Sequence, residues 1–521
     1  MRDETGAALR TIPGYPGAKL FFLIFEQDIM TTDTVNAAEI PADAPLDAAT
    51  AARNKLVISL LLVSAFVVIL NETIMGVALP HLMKDLGITA NAAQWLTTAF
   101  MLTMATVIPV TGFLLQRLNT RPVFLLAMTL FSIGTLISAL APGFPVLLIG
   151  RVVQATGTAV MMPLLMTTVM TLVPPASRGK TMGNISIVIS VAPALGPTIS
   201  GLILQVLDWR WMFWLVLPIA IGSLILGMSR IKNVSVPRYA PLDVPSVFLA
   251  AIGFGGTVYG LSSLGEGGQG VLPVPGWSVL AVGAVVLLLF ILRQISLQKQ
   301  DKPLLDLRTF KSRNYSISVL MMAINMMALF GALILLPIFM QNVMGLSTLQ
   351  SGLLLLPGGL VMGLLAPTVG RLYDKHGTRP LLVPGAIIVS ASLWALALLP
   401  PTATVWMVAP IHIVLSFGLA LTFTPLFTAS LGSLPMQLYS HGSAVLGTTQ
   451  QVAGAAGVAL FVAVMTLQSG NLLAAGLPVV EATAGGLRYA FIGGAIVSLF
   501  SIITAFMVRK PDAVQSMPQG H

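Results

Sequence analysis

The chain contains no cysteine among its 521 residues, which excludes disulfides, thiolate metal ligands and thiol nucleophiles. It also has little charge of either sign. Lys, Arg, Asp and Glu make up 9% of the residues, where a soluble domain carries about 25%. So few ionisable groups cannot solvate the surface of a 54.8 kDa globule, and this excludes a soluble enzyme, a nucleic-acid-binding domain and a disordered scaffold. A nucleotide site is lacking too. Gly179-Lys180-Thr181 ends like a phosphate loop, but Pro174 stands where the first glycine is required. Gly265-Glu-Gly267-Gly-Gln-Gly270 fits G-x-G-x-x-G with no strand before it. Asn71-Glu72-Thr73 fits a glycosylation acceptor, but within an apolar span. No cofactor or metal is expected, and any work the chain does must draw on an ion or substrate gradient.

What is present is hydrophobic residue, at 56% of the chain, with a mean hydropathy of +0.91. A helix crossing about 30 Å of hydrocarbon needs roughly 20 apolar residues. Fourteen stretches qualify, near 56–80, 93–115, 122–141, 146–172, 182–206, 211–229, 243–263, 275–292, 315–338, 350–370, 380–399, 405–428, 442–466 and 486–508. They lack the period-2 alternation of a barrel. With the N-terminus on the cytoplasmic side, 23 of the 27 Lys and Arg fall inside, and only Lys84, Arg210 and Arg488 fall outside. One missed helix would invert every later loop, so the split predicts fourteen helices with both termini cytoplasmic in the plasma membrane. Residues 1–54 hold eight of the 18 acids and no span-length run, and read as a disordered tail whose translated start is Met30 or Met1.

Gly112-Phe-Leu-Leu-Gln116-Arg117-Leu-Asn119-Thr-Arg121 closes the second span, and Gly370-Arg-Leu-Tyr-Asp374-Lys375-His-Gly377-Thr-Arg379 closes the tenth. Both set a Gly and a final Arg nine positions apart in a short basic loop. The spans divide as 6 + 2 + 6: a bundle at 55–230, an extra pair at 241–293, a connection at 294–314, a second bundle at 315–510 and a tail at 511–521. This is a duplicated core with an inserted helical pair.

These two loops resemble the motif G-x-x-x-D-(R/K)-x-G-x-(R/K) of the major facilitator superfamily. Leu147-Leu-Ile-Gly-Arg151-Val-Val-Gln154-Ala-Thr-Gly157-Thr-Ala159 resembles its fourth-helix motif, and Ala192-Pro193-Ala-Leu-Gly196-Pro197-Thr-Ile-Ser-Gly201 the fifth-helix motif associated with antiporters. Asn71-Glu72-Thr73 with Ala78-Leu79-Pro80 resembles the first-helix motif of the fourteen-helix drug:proton antiporters. Leu336-Pro337-Ile-Phe-Met-Gln341-Asn-Val-Met-Gly345 and Gln450-Gln451-Val-Ala-Gly454 resemble lincomycin-efflux members of that branch. The likeness implies conformational roles for Gly112, Gln116, Arg117, Arg121, Pro193, Gly196, Pro197, Gly370, Asp374, Gly377 and Arg379. Gln116 and Asn119 depart from the motif's Asp and second Gly. An N-terminal latch therefore has only neutral hydrogen bonds available.

Of the ten acids beyond the tail, Glu72 alone sits well inside a span. An ionised carboxylate there costs several kcal/mol, so it is protonated or faces water or a partner. This points to a proton-binding residue, set against a neutral packing role. Arg151, about five residues into the fourth span, either snorkels to the headgroups or, as the resemblance implies, enters the bundle as partner to the proton site. Asn71, Gln154, Asn325, Gln341, Thr422, Gln450 and Gln451 are uncharged polar groups that either bridge helices or line a substrate pathway. The expected function is a drug:proton antiporter exporting a lipophilic small molecule. Its partners are then protons, substrate and bilayer, with a periplasmic adaptor only in a two-membrane source. The alternatives are a narrow exporter of a lipid precursor or secreted metabolite, and a non-transporting membrane sensor or assembly subunit.

Overall fold

A computed structural model describes residues 48–88, 90–234, 242–265 and 274–511. Expectations for the tail before residue 48, for the glycine run 266–270 and for the tail from residue 512 lie outside the described residues. Among the described residues, fourteen helices are long and apolar enough to cross a membrane. The first six are α1 Ala48–Leu86, α2 Ala90–Arg117, α3 Thr120–Ala139, α4 Phe144–Leu172, α5 Arg178–Val206 and α6 Trp211–Arg230. The extra pair is α7 Val244–Gly265 and α8 Gly276–Gln298. The last six are α9 Arg313–Ile338, α10 Thr348–His376, α11 Arg379–Ala397, α12 Val405–Gly432, α13 Tyr439–Ala474 and α14 Val479–Met507.

Several helices outrun the hydrophobic stretches that mark them, because polar residues continue a helix once its backbone bonds are nucleated. α14 begins at Val479 after Pro478, ahead of the 486 expected, since Glu481 and Arg488 lower the local hydropathy without breaking the helix. Local chemistry sets the ends. Ser347 caps α10 reciprocally: its Oγ accepts from the Gln350 N–H at 3.2 Å, and the Gln350 Oε1 accepts from the Ser347 N–H at 2.9 Å. Gly377, at φ +83°, closes the same helix in a left-handed conformation that side chains disfavour.

Within the first half α3 packs on α4 and α6, and α2 on α4; in the second, α9, α11 and α12 pack on α13 and α14 or on each other. The halves meet along α5–α10 and α2–α13, with α4–α13 and α5–α12 behind them. These are equivalent helix pairs, as expected of a duplicated core. α7 lies against α2 and α13, while α8 packs mainly on α7 and turns Val282, Val285, Leu288 and Leu292 outward, more than half exposed. In a membrane that face meets lipid. The pair is fastened at one end by Asp243, whose carboxylate accepts from Arg293 Nε at 2.7 Å and Nη2 at 2.8 Å. The connection after α8 folds back, because the buried Gln294 Oε1 accepts from the Leu304 and Leu305 N–H groups.

Arg117, Arg121, Arg178, Lys180, Arg371, Lys375 and Arg379 lie at one end of the bundle, termed the basic face below. At the other end Asp85 accepts from Trp209 Nε1 at 2.7 Å, and Arg210 bridges Asp85, Asp208 and the Ala141 carbonyl. That clasp ties α1 to the turns after α3 and α5.

Candidate functional site: a buried arginine and its partners

Close packing of α3 on α4 comes first. Gly134 presses on the Gln154 backbone and Gly150 on Ser138, with no room for a Cβ at either position. The two helices therefore place their polar side chains within bonding range. Arg151 and Gln154 share a helix face at i and i+3, and both are completely buried. Arg151 Nη1 donates to Gln154 Oε1 at 2.7 Å and to Asn71 Oδ1 of α1 at 3.1 Å. Gln154 Nε2 then donates to Thr135 Oγ1 of α3 at 2.8 Å. The guanidinium lies over the Phe100 ring of α2, 4.1 Å from its centroid. Four helices thus converge on one cation, which is inside the bundle and not snorkelled to a surface.

The arginine is incompletely satisfied. Its Nε and Nη2 are buried without a hydrogen-bond partner, as is Asn71 Nδ2. Glu72 follows Asn71 on α1, partly buried, so the bond from Arg151 to Asn71 brings the arginine to the segment that carries the carboxylate. The five ion pairs among the described residues do not include Glu72 with Arg151. Gly196 brings α5 against Thr73, so a fifth helix closes on the segment that carries Glu72. α5 runs unbroken through Pro193, Gly196 and Pro197.

The polar residues of the second half do not join this site. Asn325 is buried between α9 and α14, where its Oδ1 accepts from Ser501 Oγ at 2.9 Å. Thr422 is buried and returns its hydroxyl to the Leu419 carbonyl. Gln341 lies half-buried in a π-helical turn, Phe339–Val343, that prolongs α9. Gln450 and Gln451 are half-buried on α13.

The loop residues gather at the basic face. Asp374 Oδ1 and Oδ2 accept from the Gly179 and Lys180 N–H groups, both at 2.8 Å, so the end of α10 caps the start of α5. Gly370 packs directly on the Gly179 carbonyl. In the other loop Gln116 Nε2 donates to the Gln437 carbonyl at 3.1 Å, just before α13, and Gly112 packs on His441. Arg121 Nη2 donates to the Met228 carbonyl near the end of α6; Arg117 and Arg379 are exposed. Two hydroxyl pairs deepen the seam: Thr167 with Ser443 at 2.7 Å, and Thr424 donating to Ser186 at 2.8 Å. Apart from the Arg121 bond, which lies within the first half, these bonds join the halves in the basic half of the bundle, which is therefore closed. Thr135, Phe100, Thr167 and Ser443 carry no mark in the sequence, since Thr, Ser and Phe are common in any membrane helix.

Residues 61–458 match the family model described as Major Facilitator Superfamily. The chain is 40% identical over 463 residues to "Uncharacterized MFS-type transporter YcnB" of Bacillus subtilis, covering 88% of this chain and 95% of that one. It is 39% identical over 458 residues to "Lincomycin resistance protein LmrB" of the same organism, covering 86% and 95%. Among solved structures it resembles the human organic anion transporter MFSD10, with a TM-score of 0.62 at 15% identity, over 87% of this chain and 99% of that one.

Proposed function

The chain belongs to the major facilitator superfamily, and from that premise we propose that it is a proton-coupled exporter, a drug:proton antiporter of lipophilic or amphiphilic compounds. It is a multi-pass membrane transporter and not an enzyme. The observation that carries the finer reading is the buried Arg151, bonded to the Asn71 that precedes Glu72 on α1. A carboxylate inside a span must be neutral or compensated. Arg151 supplies compensation without engaging it in an ion pair, which leaves the carboxylate free to gain and lose a proton.

In this reading the basic face is cytoplasmic, both termini are inside, and the closed basic face is an outward-facing state. Glu72 takes up a proton from outside, the basic face opens, and substrate entering from the cytoplasm displaces the proton inward. A membrane potential contributes about 2.3 kcal/mol per charge per 100 mV. Asn71 and Gln154 hold the cation; in the second half the half-buried Gln341, Gln450 and Gln451 are the polar groups left to meet substrate, since Asn325 and Thr422 are spent on helix packing. The likeness to a lincomycin resistance protein makes lincomycin the first substrate to try, with ethidium as a lipophilic cation.

The test is transport in liposomes under an imposed proton gradient, with proton flux followed by a trapped dye. Wild type should drive lincomycin or ethidium uphill and release protons; Glu72→Gln should do neither at equal reconstitution. Uphill transport by Glu72→Gln would place the proton route elsewhere.

A further inference from the structure

The hydrogen bonds around Arg151 have a direction. Thr135 Oγ1 donates to the Phe131 carbonyl at 2.7 Å, so its proton is committed and only its lone pairs face Gln154. That fixes the Gln154 amide with Nε2 toward Thr135 and Oε1 toward Arg151. With the amide so held, and Asn71 Oδ1 on the same Nη1 atom, the guanidinium is anchored by two neutral acceptors. Arg151 is bonded to the residue that precedes Glu72 on α1, and so is the cation at the segment that carries the carboxylate. Carboxylate is the stronger acceptor, since a charge-assisted bond is roughly twice as strong as a neutral one. An unrestrained arginine, with Nε and Nη2 unpartnered, would turn to it.

We propose that Thr135 is a positioning residue that, through Gln154, holds Arg151 off Glu72 and so keeps the carboxylate able to exchange its proton. The inference rests on the reading of Glu72 as the proton carrier. Valine at 135 has the shape of threonine and no lone pair. The buried Gln154 Nε2 would then lack an acceptor, which is costly. The amide turns to find one, Oε1 leaves Arg151, and the arginine closes on Glu72. A buried ion pair once made is hard to break, and the cycle stalls with Glu72 ionised.

The experiment uses infrared titration of the full chain in lipid nanodiscs, which needs no substrate. The protonated Glu72 carbonyl band is isolated by subtracting the Glu72→Gln spectrum. In Thr135→Val the pH at which this band appears should fall by about one unit or more, the effect of an opposite charge brought into contact. Thr135→Ser, which keeps the hydroxyl, should titrate as wild type. A loss of packing alone would lower thermal stability without moving the titration. Thr135→Ala gives the same comparison if the valine variant is not monodisperse. A midpoint unchanged or raised in the variant without the hydroxyl overturns the positioning role while leaving Glu72 as carrier. A wild-type band that does not titrate between about pH 4 and 10, the range within which perturbed carboxyls fall, removes the carrier reading and this inference with it.

Discussion

The two six-helix halves share an architecture and differ in where they keep their charge. The first half buries Arg151 completely, bonded to the Asn71 that precedes Glu72, and its loop at the end of α2 reaches the other half through Gln116, with one neutral bond to a carbonyl. Among the described residues the second half buries no arginine of this kind, and its polar Asn325 is tied to Ser501. Its loop at the end of α10 carries Asp374, whose two oxygens cap the positive end of α5. Duplication supplied both loops with the same fold. Single positions give a buried arginine to one half and a carboxylate cap on α5 to the other.

The largest break in this comparison comes from Glu72→Gln, which removes titration while keeping size. Proton-driven export should fall to background, whereas Asn325→Leu in the second half should retain a measurable rate. Flux in liposomes at matched protein content checks both.

Next is Asp374→Asn, which leaves an acceptor but removes the charge at the α5 terminus. Loss of that charge and one bond is worth about 1–2 kcal/mol, or about five- to thirtyfold toward an open basic face. A cysteine at Ala444, buried between α2 and α13 beside Gly112, should be alkylated faster by that factor, in a chain with no competing thiol. An unchanged rate would show that the cap does not hold the face shut.

Gln116→Asp sharpens the contrast from the other side. It sacrifices a bond to the Gln437 carbonyl and sets a carboxylate near the start of α13, as Asp374 stands at α5. An exposed charge contact is worth about 0–1 kcal/mol, so alkylation at Ala444→Cys should slow by up to about fivefold.

The smallest effect on the gate belongs to neither half. Arg293, donating through two nitrogens, holds the Asp243 carboxyl down at about 2 from an ordinary 3.8, helped by hydrogen bonds from Ser246. A carboxyl with a depressed value contributes stability above its unfolded value near 4 and loses it as pH falls toward 2. Asp243→Asn should therefore cost about 1–2 kcal/mol at neutral pH, discounted for the part-exposed arginine. The deficit in thermal unfolding should shrink below about pH 4. The gate, read at Ala444→Cys, should not respond.

Much of the fold was legible in the sequence, because a bilayer accepts few solutions. A span must be long, apolar and helical, and positive loops must alternate with it. Fourteen spans and the 6 + 2 + 6 plan follow from those rules and from the paired loop motifs. Glu72 and Arg151 were legible for the same reason: in a chain this poor in charge, an acid or base inside a span stands out. The relation between them was not. For Arg151 a residue reaching for the headgroups stayed open as the alternative, and only the convergence of α1, α2, α3 and α4 shows it buried on Phe100 and bonded to Asn71 and Gln154.

The sequence by itself determined the number of helices, the basic face and the identity of the buried charges, because hydropathy and charge are properties of single residues. Tertiary structure alone decided that Thr135 orients Gln154, that Asp374 meets α5, and that Thr167 and Ser443 pair across 276 positions. Those contacts depend on how closely two helices approach and which faces they turn, and hydroxyls and amides bond over only about 3 Å. A threonine in a membrane helix has the same local signature whether it returns its hydroxyl to its own backbone or positions a neighbour's side chain.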